Sequence, residues 1–262
     1  MSIPHWRSGA GRLQALFVLA KRMIPLHDDN PTTIRPWVTI SLIVACVLVF
    51  LWEMGRSEQE LAEIFYAFGF IPAVWFGEAS LAPALASVSP ETTILTSMFL
   101  HGGFLHLGGN MLYLWIFGNN VEDAMGHVRF AVFYLLCGVA AALTQAYQDP
   151  GSTVPMVGAS GAIGGVLGAY FLLHPIARVL VAVPLGIIFW TIRIPAYFVL
   201  GLWFVFQLVL GGVASGEGGV AYWAHIGGFL AGACLILVFK RRGVPIWDTT
   251  PKPPAPKRGP WS

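Results

Sequence analysis

The chain has 262 residues, 56% of them hydrophobic and 11% charged, with a net charge of +2 and a mean hydropathy of +0.70. Soluble domains carry about 25% charged residues, so this composition points to a protein embedded in a bilayer. The basic residues form no patch interleaved with aromatics, which excludes a nucleic-acid footprint.

The N-terminal stretch MSIPHWRSGAGRLQALFVLAKRMIPLHDD holds one apolar run, Leu13 to Ala20. It is too short to span and has no small-residue cleavage site, so it reads as an interfacial segment rather than a signal peptide. A spanning helix needs roughly 20 mostly apolar residues. Six stretches meet or approach that: Trp37 to Met54, Thr96 to Phe117, Val128 to Tyr147, the short Ala159 to Leu173, Ile194 to Gly212, and Tyr222 to Phe239. Val179 to Trp190 is also apolar but carries Pro184 and Gly186, and reads as a membrane-surface loop or re-entrant piece. The connection from Arg56 to Thr93 is the longest loop, with apolar pieces suited to an interface. The last residues, TTPKPPAPKRGPWS, are Pro-rich and read as disordered. The expected organisation is a cytoplasmic segment at 1–35, a membrane domain at 36–241 and a disordered cytoplasmic tail at 242–262.

Six spans put both termini on one side. Of the 15 Lys and Arg, all but Arg56 fall on that side: before the first span, at Arg129, Arg178 and Arg193, and after the last span. The opposite face collects Glu58, Glu60, Glu63, Glu78, Glu91, Asp149 and Glu217. The positive-inside rule then places both termini in the cytoplasm, and Trp37, Trp52, Trp115 and Trp223 near span ends fit an aromatic belt. The three cysteines, Cys46, Cys137 and Cys234, lie in apolar runs with no metal-ligand spacing.

Polar side chains inside spans are rare and mark candidate sites. His106 and Asn110 are four apart, on one helix face, with His101 five residues before. Ser160 opens the fourth span within GASGAIGGVLG, and His225 lies one turn into the sixth. Each is near the outer start of an even-numbered span, so all belong to one depth. Ser160 has a plain alternative as a packing residue among glycines, and His225 and Asn110 as interhelical hydrogen-bonding groups. A metal site at His101, His106 and His225 is the competing use of the histidines. No carboxylate or thiol stands near them, and His101 and His106 do not share a face, which argues against it. Gly161 and Gly165, Gly164 and Gly168, and Ala224, Gly228 and Gly232 recur every fourth residue. That spacing lets two helices approach closely and would bring Ser160 to His225. Gly158 and Gly161 flank the Ala-Ser pair and allow a sharp entry into a helix whose first N–H groups stay free.

These residues resemble the rhomboid intramembrane serine proteases. The likeness rests on GASG at Gly158 to Gly161, on His101, His106 and Asn110 with spacing His-x4-His-x3-Asn, and on Ala-His-x2-Gly-x3-Gly from Ala224 to Gly232. With the six spans and the long first outer loop it covers about residues 36 to 240. It implies an all-α membrane fold, a six-transmembrane-helix bundle with a short central fourth helix. It implies a Ser–His dyad with Ser160 as nucleophile and His225 as base, and no acidic third member. His106, Asn110 and the Ser160 N–H would form an oxyanion hole, with His101 in support. It implies cleavage of single-pass transmembrane substrates near the outer side of the bilayer, without metal or cofactor. Many members place a Tyr four residues after the nucleophile, under the histidine, where this chain has Gly164. A Trp-Arg pair of some members is replaced by Thr92-Thr93. The N-terminus and compact layout favour a bacterial plasma membrane. The alternative function is a catalytically inactive relative that binds transmembrane segments. A transporter would call for carboxylates at the midplane, where this chain has nearly none.

Overall fold

The structure is a computed structural model and describes residues 24–185, 188–213 and 220–249. After a strand β1 (Ile24–Asp28) come α1 (Trp37–Glu53), α2 (Glu58–Phe68), α3 (Pro72–Trp75) and α4 (Pro90–Thr96). A 3-10 turn, Ser97–Phe99, leads to α5 (Phe104–Met125), α6 (His127–Gln148) and α7 (Ser160–Leu173). A hairpin, β2 (Arg178–Leu185) and β3 (Ile188–Pro195), precedes α8 (Ala196–Val213) and α9 (Tyr222–Phe239). Among the described residues, α6, α8 and α9 are long and apolar enough to cross a membrane; α1 and α7 are apolar but shorter. The chain is a helix-rich membrane bundle.

Helix α7 is its axis. Every residue from Gly161 to Tyr170 is buried, enclosed by α5, α6, α8 and α9. Where lipid surrounds helices there is no hydrophobic drive to pair them, so close packing of small residues does the work. A Cβ on Gly168 would strike the Phe229 carbonyl, one on Gly228 the Gly161 carbonyl, and one on Gly232 the Gly165 carbonyl. On the α6 side, Gly161 rests against the Ala141 Cβ and Gly165 against Cys137. Next to these, a bulk of fully buried rings and aliphatics, Phe117, Phe130, Phe133, Tyr134 and Leu114, fills the core. Helix α1 is held from its N-terminus: the Glu122 carboxylate of α5 accepts from the Val38 and Thr39 N–H groups at 2.9 and 2.8 Å and from the Thr39 hydroxyl at 2.7 Å. A carboxylate there pairs free amides and meets the positive end of the helix dipole.

The expectation of an all-α fold is corrected. Strands β1, β2 and β3 form an antiparallel sheet in that order, with Val181 opposite Ile192 and Val183 opposite Trp190. Val179 to Trp190 is therefore not a surface loop or re-entrant piece. RVLVAVPL and IFWTIRIP alternate and are rich in β-branched residues, which favours strands, and Pro184 lies near the hairpin's end where the ladder tolerates it. The sheet closes the end of the bundle away from Ser160. Asp28 on β1 is buried there and accepts from the Tyr170 hydroxyl of α7 at 2.6 Å and from Asn120 Nδ2 of α5 at 3.1 Å.

The second apolar stretch is also displaced. It was expected at Thr96 to Phe117, but the helix is Phe104–Met125. The run crosses α4, the 3-10 turn and a break at Gly102-Gly103, where Gly103 takes φ +154°. Residues 242–249 fold back on α7: the Trp247 and Asp248 N–H groups donate to the Leu172 and Leu173 carbonyls at 2.7 and 3.2 Å. The Leu13 to Ala20 run and the residues after 249 lie outside the described residues.

Candidate active site

Ser160 is the first residue of α7. The chain reaches it through a pinned segment: Phe70 and Met156 exchange two backbone hydrogen bonds, at 3.0 and 2.8 Å, and Gly158 N–H donates to the Ser97 carbonyl at 2.8 Å. Gly158 takes φ +120°, and a Cβ there would lie 2.6 Å from His106 Nε2. Both facts require glycine. As the opening residue of a helix, Ser160 has an N–H with no intrahelical acceptor.

His225 is in the first turn of α9, which the small-residue contacts hold against α7. Its Nε2 lies 2.8 Å from Ser160 Oγ. Its Nδ1 lies 2.8 Å from the side-chain oxygen of Gln207 on α8. The Trp203 ring is close, with centroids 5.8 Å apart. One residue earlier, Ala224 N–H donates to Gln145 of α6 at 3.3 Å.

His106 and Asn110 stand on adjacent turns of α5. His106 Nδ1 accepts from the Gly102 N–H at 3.2 Å. A neutral His106 therefore carries its proton on Nε2, the atom that faces Gly158. Asn110 is buried, and its Nδ2 has no hydrogen-bond partner among the described residues. Two N–H donors thus converge at Gly158, two residues before Ser160. A cavity of about 1040 Å³ takes in His106, Asn110, Gly158, Ser160, Trp203 and His225.

His101 is brought near but does not line this cavity. It precedes α5, its N–H facing the Glu53 carboxylate at 3.3 Å and its Nδ1 the Phe99 carbonyl at 3.1 Å, with its ring 5.2 Å from that of His106. It backs the His106 ring from behind. Gly161 lies beside the cavity, while Gly164, Gly168, Gly228 and Gly232 serve the α7–α9 seam and Ala224 faces Gly161 across it. Among the described residues no three His, Cys, Asp or Glu side chains converge as metal ligands would.

Gln207 and Trp203 were missed by the reading of the sequence. The signal for Gln207 was present, since an amide in the apolar run of α8 is as unusual as an ionisable group.

A family model for the Rhomboid domain matches residues 91–242, which spans α4 to α9 and every residue of the site. The chain is similar to Rhomboid protein 1, mitochondrial, of Saccharomyces cerevisiae, 32% identical over 55% of this chain and 41% of that protein. It is also similar to RHOMBOID-like protein 5 of Arabidopsis thaliana, 34% identical over 57% and 44%. A third likeness is to Rhomboid protease GluP of Bacillus subtilis, 42% identical over 29% of this chain and 14% of that protein. The matched regions cover less than half the length of these relatives. The matched span and its helices agree: the chain belongs to the rhomboid family.

Proposed function

We propose that the chain is an intramembrane serine endopeptidase. The observation that carries the reading is the 2.8 Å pair of Ser160 Oγ and His225 Nε2, set in a cavity beside unengaged N–H donors. A serine hydroxyl is a weak nucleophile until a neighbouring base takes its proton. Here His225 Nε2 takes it as Oγ attacks a substrate carbonyl carbon. The oxyanion that forms is held by Asn110 Nδ2, His106 Nε2–H and the Ser160 N–H. His225 then gives the proton to the leaving amine, and the acyl-enzyme remains on Ser160. A water molecule, deprotonated by His225, attacks that ester and restores the hydroxyl. Donors fixed before the reaction need no reorganisation as charge develops, which is why they act strongly in a dry site.

The substrates are single-pass transmembrane proteins. We take α1 and α5 to α9 as six spans, a count on which both termini share one side and the site lies toward the other. The Lys and Arg distribution puts the termini in the cytoplasm. Labelling with a fluorophosphonate probe in lipid tests the reading. Wild type labels, and Ser160→Ala and His225→Ala do not. Well-folded wild type that neither labels nor cuts a membrane substrate refutes it in favour of an inactive binder of transmembrane segments.

A further inference from the structure

We propose that Gln207 is a positioning residue that fixes which nitrogen of His225 carries the proton, occupying the place that an acidic residue takes in serine hydrolases with three-membered sites. This rests on the protease reading and adds a third group to the expected dyad.

A neutral imidazole has one N–H, and the partner of one nitrogen decides the state of the other. His225 has a partner at each: Ser160 Oγ at Nε2 and the Gln207 oxygen at Nδ1, both at 2.8 Å. For His225 to accept the serine proton, Nε2 must carry the lone pair and Nδ1 the hydrogen. The Gln207 oxygen accepts that hydrogen. It does so from a buried position, where water cannot substitute. Turned over, the same amide would present its NH2 group, Nδ1 would become the acceptor, and the proton would move to Nε2. His225 would then donate to Ser160 and could not act as its base. The side chain at 207 therefore selects between a reactive and an unreactive pair.

The surroundings leave this task to Gln207. Gly164 offers no side chain to the ring, and a Cβ there would already be 2.9 Å from the His225 carbonyl. Trp203 touches one ring face but has no acceptor to give. No carboxylate of the described residues bonds to either nitrogen. Gln207 also comes from a third helix, so α7, α8 and α9 each contribute one member of the chain of hydrogen bonds.

The test compares wild type with Q207M and Q207E in lipid, reading cleavage kinetics, fluorophosphonate labelling, melting temperature and the ring 15N resonances of His225. Met fills the volume without a comparable acceptor, and ionised Glu can accept but has no NH2 group to donate when turned over. In Q207M, kcat and the labelling rate fall on the order of tenfold with KM unchanged, the scale of one neutral hydrogen bond. Q207E stays within about threefold of wild type, as a conserved acceptor requires. The wild-type His225 shows a protonated Nδ1 and an unprotonated Nε2, and Q207M mixes the two states. The proposal is overturned if Q207M keeps the wild-type rate or tautomer. It is equally overturned if Q207M and Q207E lose activity alike in step with melting temperature, which is what a purely structural residue would do. Wild type that neither labels nor cleaves overturns the protease reading itself.

Discussion

Gly164 is where packing and chemistry meet most directly, and Gly164→Ala puts a number on it. The added methyl would sit 2.9 Å from the His225 carbonyl oxygen and 3.5 Å from the Phe229 nitrogen. Ordinary contact begins near 3.4 Å, so the backbone at His225 must retreat by about 0.5 Å, the difference of those distances. Carried to the ring, that shift takes Ser160 Oγ and His225 Nε2 from 2.8 Å to about 3.3 Å, beyond the range in which a hydroxyl donates well. A displacement of about 1 Å at a reacting centre costs on the order of 100-fold, so half of it costs on the order of tenfold. Stability moves less. Alanine gains about 1 kcal/mol over glycine in a helix, against an overpacking cost of about 1–3 kcal/mol. The assay is the pseudo-first-order labelling rate by a fluorophosphonate, with melting temperature measured in the same detergent. A rate about tenfold down with a melting temperature within a few degrees is expected. Labelling at the wild-type rate would show that the closeness of α7 and α9 at this point does not set the geometry of the pair. Installing the Tyr of other members, Gly164→Tyr, is expected to rescue nothing, since no ring fits between these backbones.

Other perturbations separate chemistry from architecture. Asn110→Ala removes an unengaged donor and lowers kcat on the order of 100- to 1,000-fold without a matching change in melting temperature; a loss below threefold would remove Asn110 from the oxyanion site. Glu122→Ala leaves the Val38 and Thr39 amides unpaired and costs roughly 2–6 kcal/mol, read as a fall in melting temperature and denaturant midpoint; an unchanged midpoint would refute the capping role. Asp28 lies outside the spans, and burial pushes its carboxyl up to about 7 from 3.8. An acid whose folded pKa is the higher one binds its proton more tightly when folded, so stability falls as pH rises from about 4 to 7 and is level above. Asp28→Asn should flatten that slope in melting scans between pH 4 and pH 8, whereas parallel curves for the two proteins would exclude Asp28 as its source.

The site was legible because its side chains are anomalies. Serine, asparagine and histidine stand out in apolar runs, and the four-residue spacing of glycines foretold the α7–α9 contact that aligns them. The ends of α6, α7 and α9 fell within a residue or two of expectation, since their apolar runs stop at polar loops. The start of α5 did not, because three short pieces with different conformations share one apolar run, and only the Gly102-Gly103 break separates them. The sheet is not announced in the sequence because Pro184 and Gly186 look like loop residues within an otherwise apolar run. Asp28 with Tyr170, and Gln207 with His225, join residues 142 and 18 positions apart. Pairings of that kind are created by the fold, and no local pattern announces them.

Helix α7 also acts as a ruler. Its 14 residues extend about 21 Å at 1.5 Å each, against a hydrocarbon layer of about 30 Å. Its far end is tied by Tyr170 to the buried Asp28 of the sheet, and on the proposed reading the shortfall of about 9 Å falls at the Ser160 end. On the proposed reading, the depth of Ser160 is set from the leaflet nearer the sheet. If the chain is the protease proposed above, a thicker bilayer would leave Ser160 at the same distance from that leaflet and deeper below the other, and the point of attack would move along the substrate's own span.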